Sequence, residues 1–578
     1  MFFLLFSIIV QLDLSSLGKI SVSKECFIVR NDTLVYRIEK VIFINSETAR
    51  EKYGTVVIPF DDSRQKVRVL YARTVSAGGD TTPVSPNAIN IVADRIVEEY
   101  AFLSNRKELH ISFLGIKKGS KLEYAIEIEE SPFEYLDGIA YFQEELEIEY
   151  REIRFCLPKY LTFNFKYWDK GGVSISETVY DSLEYSVYIF SSLNTPPIPE
   201  VSRWEGHIPT HLYSSFLVYT TFPSWDSLIA YLSHFYLDKE ISIKKEHSDI
   251  RKVKALCDNI SSPDFEPLWI QGYIPFSYDR AISSFKMTFP EKIYRVTQSF
   301  KGLMPAFVLK YGFNMNNTPP SLSTLENIIL FDGKSFINPF RGNTKTFITD
   351  FAGYEAITFD SNKNALSKII ENLSEFELKV VINPEQGEAV FAEILGRLPG
   401  DAQLEEDIYQ ASLGVKNMYE RYFGLVGTVK RIKLKLKHVS DIMKPIKVSG
   451  KAYFSSLGSK VDKYYIIELP NPDIPIASRS QRGKFIFNDE ELTKKVTMKV
   501  KVPKGYKLVY LPESFYINRP GFESKIQFSN TKKTVIVTYE SSFNKRYFTA
   551  EEISNIRESF EANGPQGGRV VVIFEKTK

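Results

Sequence analysis

Residues 295–312, RVTQSFKGLMPAFVLKYG, read as a turn followed by a helix with Thr297 at its start. The opening of a helix is a favourable place for a reactive thiol, because the unpaired amides and the helix dipole stabilise a thiolate. Here that position carries a hydroxyl. Two residues strain the helix reading: inside a helix Gly302 costs ~1 kcal/mol and Pro305 ~3 kcal/mol, so the helix is expected to kink or to begin later. The stretch therefore poses the question for the whole chain: an enzyme, or the frame of one without its reactive groups.

Composition narrows the answer. The chain has 578 residues, enough for three or four domains at ~150 residues each. Hydrophobic residues make up 43% and aromatic residues 14%, which sets global disorder aside. The 33 Tyr and 43 Phe favour β-rich architecture, since aromatic rings suit a pleated, half-buried surface. A formal charge of +2 with interleaved signs gives no global footprint for nucleic acid. Cys26, Cys156 and Cys257 lie far apart without a CxxC, so neither a zinc site nor a disulfide framework is indicated. His207 and His211 are separated by a turn at Pro209 and cannot share a helical face. No metal or other cofactor is expected.

The first residues, MFFLLFSIIVQLDLSS, contain an apolar run from Phe2 to Val10, shorter than the ~20 residues that span a bilayer. They suit the core of a secretory signal over residues 1–18, although a positive leader and an A-x-A cleavage site are missing. The expectation is an exported chain, periplasmic or associated with the cell envelope. No later segment is apolar and long enough to span a membrane.

Residues 19–200 read as a β-sandwich. In KLEYAIEIEE, Leu122, Tyr124, Ile126 and Ile128 alternate with charged or small neighbours. The cluster NTPPIPE (194–200) marks a stiff linker. Residues 201–370 change period. SWDSLIAYLSHFY sets Trp225, Leu228, Ile229, Leu232 and Phe235 on one helical face. HSDIRKVKALCDNI reads as a second helix with Cys257 on its apolar side, a buried hydrophobe rather than a nucleophile. LENIILFDG and KSFINPF read as a hairpin around an Asp-Gly turn. Residues 371–578 return to sheet: Val496, Met498, Val500 and Val502 alternate with Thr497, Lys499 and Lys501. TAEEISNIRESFEANGP is a helix opened by a capping box of Thr549 and Glu552, with Ile553, Ile556 and Phe560 facing inward.

This order of parts resembles bacterial exported proteins that hold a transglutaminase-like, papain-like domain between two β-rich domains of unknown function. The resemblance rests on YARTVSAGGD, ISFLGIKKGSKLEYAIEIEESPF and FQEELEIEYREIRFCLP in front. It continues with TTFPSWDSLIAYL in the middle, then SQRGKFIFNDEELTKKVTMKVKVPKGYKLVYLPES and FNKRYFTAEEISNIRESF behind. It implies a multidomain, mainly β chain with one α+β domain: a β-sandwich, a transglutaminase-like core and a C-terminal β-sandwich.

In such proteins a helix carries the nucleophile in a segment like G-D-C-K-D-K-A, followed by L-G-I. A histidine follows in an F-N-H strand and an aspartate in a D-P-T strand. Matching Gly312 of KYGFN to the L-G-I glycine puts Thr297 at the cysteine position, Asn327 at the histidine position and Asn338 at the aspartate position. An amide does not titrate near neutrality, so Asn327 cannot take a proton, and Asn338 brings no charge to hold an imidazolium. The resemblance thus implies a catalytically degenerate core: a binding or scaffold module for protein or peptide, with a cell-wall peptide as one candidate. The rival reading is an amide hydrolase or acyl transferase of the same class with an unrecognised nucleophile.

Overall fold

The computed structural model describes residues 17–93, 106–170, 172–198, 209–236, 304–331, 333, 336–337, 351, 353–359, 364–370, 375–395, 419–420, 422–437, 446–469, 485–487, 493–563 and 570–577. These residues form a multidomain, mainly β structure. The segment 1–16, the linker end 199–208 and the stretch 237–303 with Cys257 and Thr297 lie outside them.

An eight-stranded sheet dominates the leading region, with Gly18–Arg30, Thr33–Ile44 and Lys121–Glu130 adjacent near its centre. Leu122, Tyr124, Ile126 and Ile128 are buried on one face, as their alternation requires. Glu127, on the other face, is also buried, with Arg37 and Arg68 both bonded to its carboxylate. Two small sheets complete the packing. One comprises Thr55–Asp61, Arg106–Ser112 and Ile89–Ala93; the other comprises Asn164–Trp168, Phe216–Thr220 and Asp137–Tyr141.

The strand Phe216–Thr220 comes from beyond the proline cluster, yet it is the central strand of that second small sheet. All five of its residues are buried. Leu217 and Tyr219 enter the leading core, whereas Phe216 and Val218 enter the core of the middle region. A strand covered on both faces reads as a continuous apolar run, which FLVYT is.

The middle region is a five-stranded sheet in the order Phe336–Ile337, Leu325–Phe331, Met304–Leu309, Glu355–Phe359, Ala365–Ile369. The helix Trp225–Tyr236 lays Trp225, Leu228, Ile229 and Leu232 on one face of it. The hairpin forms, with Leu330 opposite Ile337 and Gly333 at φ +91° in the turn. The helix expected over 295–312 does not extend through its second half. Met304–Leu309 is a strand, paired along its length with Leu325–Phe331 on one side and at Phe307 and Val308 with Glu355–Phe359 on the other. Pro305, a helix breaker, lies inside that strand, and Gly312, at φ +89°, turns the chain after a strand rather than after a helix.

In the trailing region an eight-stranded sheet packs on a four-stranded sheet around one core. Val496, Met498 and Val500 point into it with Ile467, Val572 and Phe574 from the facing sheet. The helix Ala550–Asn563 opens with the expected reciprocal cap: the Thr549 amide donates to Glu552 (2.9 Å) and the Glu552 amide to the Thr549 hydroxyl (3.3 Å).

Candidate functional site

Of the three positions matched to the family triad, Asn327 is described, whereas Thr297 and Asn338 lie outside the described residues. Asn327 stands opposite Val308, on the sheet face that carries Ala306 and Ile329 and away from the helix Trp225–Tyr236. Its side-chain oxygen accepts the amide of Ile328 at 2.7 Å. The placement of Thr297 came from counting back from Gly312 along a helix. Since Met304–Leu309 is strand, that count does not run through continuous helix.

The strand that bears Asn327 is anchored from the leading region. A short helical turn, Leu322–Thr324, precedes it, and Asp137 accepts the amides of Leu322 (3.1 Å) and Ser323 (2.9 Å) and the Ser323 hydroxyl (2.7 Å). Burial raises the Asp137 carboxyl above the ordinary range, and the Ser323 bonds offset part of that rise. Asp137 also lines a cavity of about 390 Å³ together with Tyr36, Tyr135 and Tyr219.

His211 fixes the other strand. It is 5% exposed, and since its partner is a carbonyl its Nε2 donates, reaching the Tyr311 oxygen at 2.8 Å. Its ring stacks on Phe313 with centroids 4.9 Å apart. Burial pulls the imidazole down to about 4; the Tyr311 bond opposes the shift, and Lys310 and Lys170 add to it. This is a neutral, structural histidine. From the trailing region the buried Arg546 donates its backbone amide to the Tyr311 hydroxyl (3.0 Å) and sets its guanidinium over the Tyr354 ring at 5.1 Å. Tyr311 is thus held from the segment ahead of the helix Trp225–Tyr236 and from the trailing region. Neither Asp137 nor Arg546 was singled out from the sequence, because their partners lie 185 and 235 residues away.

Among the described residues no three His, Cys, Asp or Glu side chains gather to hold a metal. Two thiols do meet. The parallel pairing of Gly18–Arg30 with Ile148–Pro158 puts Cys26 opposite Arg154 and Cys156 opposite Ile28. Interaction with the Cys26 thiol, together with Arg154 and Arg30, lowers Cys156 to about 7 against the opposing effect of burial. The same interaction, with burial, raises Cys26. Both cysteines are free.

Two family models match the chain: the Domain of Unknown Function DUF3857 over residues 30–199 and DUF3858 over residues 465–573. Among solved structures the chain is similar to a protein from Parabacteroides distasonis described as a "putative protease". The TM-score is 0.59 at 16% identity, covering 97% of this chain and 100% of that one. At that identity the likeness establishes a shared fold. No curated protein matches. Among the described residues no helix is long and apolar enough to cross a membrane.

Proposed function

We propose that this chain is an exported transglutaminase-like protein without catalytic activity, which binds a protein or an extended peptide at the cell envelope. The observation that carries this reading is Asn327. It occupies a paired strand at the position matched to the family's base, and an amide there cannot accept a proton. The DUF3857 and DUF3858 matches on either side of the middle region support the three-part organisation. In the family this chain resembles, the substrate groove accepts an extended peptide, so a protein segment or a cell-wall stem peptide is the occupant this reading assigns.

A second reading has one finding in its favour, the fold shared with the described protease. In it the chain cleaves or transfers an amide through another nucleophile. Assays of the purified protein on peptide and glutamine-amide substrates separate the two. The expected result is no turnover above a buffer blank, with Thr297→Cys alone still inactive because the new thiol would lack a base, help that is worth ~10²–10⁴ in rate. Turnover by the unmodified protein that Thr297→Ala abolishes overturns the proposal.

A further inference from the structure

The trailing sheet carries a concentration of positive charge that the balanced overall composition conceals. Its edge is formed by Gly427–Lys437 paired antiparallel with Ile446–Leu457. Ile432, Val448 and Ala452 point into the core, so the alternate positions point out. Those positions on the edge strand are Arg431, Lys433, Lys435 and Lys437, all exposed, and on its neighbour Lys447 and Lys451, also exposed. The register sets Lys433 directly opposite Lys451, and Lys437 directly opposite Lys447. Like charges in such positions oppose folding of the pair. Along these two strands the acid in reach among the described residues is Glu388, 3.5 Å from Lys451; farther across the same face Glu377 pairs with Lys379 at 2.9 Å and Glu540 with Lys495 at 3.3 Å.

The array extends in two dimensions. Continuing the register across the sheet, Lys451 faces Val390, Val390 faces Val381 and Val381 faces Lys499. Lys499 is exposed, as is Lys501 beyond it. Four strand spacings put Lys433 and Lys499 about 19 Å apart on one face. A single row of cations would suit a linear polyanion; cations spread over a sheet face suit a planar one.

We propose that the outward face of this sheet docks on an anionic lipid bilayer. The recognition is electrostatic, lysine ammonium groups meeting lipid phosphates. Each lysine near such a surface contributes about fivefold in affinity, an effect that fades once the Debye length falls well below its ~10 Å at 0.1 M salt.

The test is sedimentation of the full chain with vesicles. At low salt the protein is expected to pellet with phosphatidylglycerol-rich vesicles, to remain in solution with pure phosphatidylcholine, and to be released by salt. Lys433→Gln/Lys435→Gln is expected to weaken partition about 25-fold. Lys117→Gln/Lys118→Gln, exposed in the leading region, is expected to leave it unchanged. Both pairs are solvent-exposed, and circular dichroism confirms that each variant is folded. Absence of pelleting, or equal loss in the two variants, overturns the proposal. So does retention on heparin without vesicle binding, which would assign the face to a linear polyanion. If the lysines serve only to keep the edge strand from pairing with other chains, neutralising them causes self-association and vesicle binding is absent throughout.

Discussion

Acid should loosen this protein through His211. The imidazole is buried between Phe313 and the Tyr311 carbonyl, and its pKa is lowered from 6.5 to about 4. Below about pH 6.5 the unfolded chain takes up a proton that the folded chain refuses, so stability falls with falling pH until the folded imidazole itself titrates near 4. The slope is about 1.4 kcal/mol per pH unit, and the whole window withdraws about 3 kcal/mol. Urea unfolding measured from neutral pH to about pH 4.5 reads this directly. The comparison is His211→Gln, whose amide can still donate to the Tyr311 carbonyl. Carboxylates titrate in both proteins and cancel in the difference. The native protein should lose stability more steeply than the variant by about 2.5 kcal/mol between neutral pH and about pH 4.5. Parallel curves for the two would refute the claim that His211 is held neutral by burial.

Two further outcomes follow from buried polar groups. Arg151, 3% exposed, binds Glu25 and donates to Ser23 at 2.8 Å, while Tyr36 donates to Glu25 at 2.6 Å. Burial would raise the Glu25 carboxyl, but Arg151 and Tyr36 together hold it below the ordinary range. Arg151→Met strands that carboxylate and should cost about 3–5 kcal/mol in denaturant unfolding, most of it recovered by adding Glu25→Gln. Cys156, lowered to about 7, should alkylate before Cys26 at neutral pH; peptide mass spectrometry after a brief pulse of iodoacetamide gives the order.

Local signals in the sequence were informative wherever a single periodicity or cap settled the outcome. The alternation around Val496, the helical face of Trp225–Leu232 and the Thr549–Glu552 cap all have their expected partners. MPAFVL failed because a short apolar run fits either a buried strand or a helix. Gly302 and Pro305 counted against the helix, but a proline counts equally against a strand with neighbours on both sides, so they did not decide between the two. The helix Glu47–Tyr53 gave too little signal, since among its seven residues Ala49 alone is buried. At the candidate site the strand of Asn327 was legible, but its neighbour was not. The contacts that hold both come from Asp137, His211 and Arg546, each far along the chain. Pairing at that range depends on topology, which no local pattern encodes.

The strand Phe216–Thr220 has a consequence for how such genes can be cut and recombined. The DUF3857 match ends at residue 199, ahead of this strand, so the matched segment leaves out the central strand of its own small sheet. A gene fragment ending there would encode Asn164–Trp168 and Asp137–Tyr141 without the strand that joins them, leaving Leu136, Phe155 and Phe190 beside a missing wall. Fusing that fragment to an unrelated partner would succeed only if the partner supplied a five-residue apolar strand at the junction. One strand with no solvent-facing side thus ties the two regions together physically, and a cut between them would break both cores.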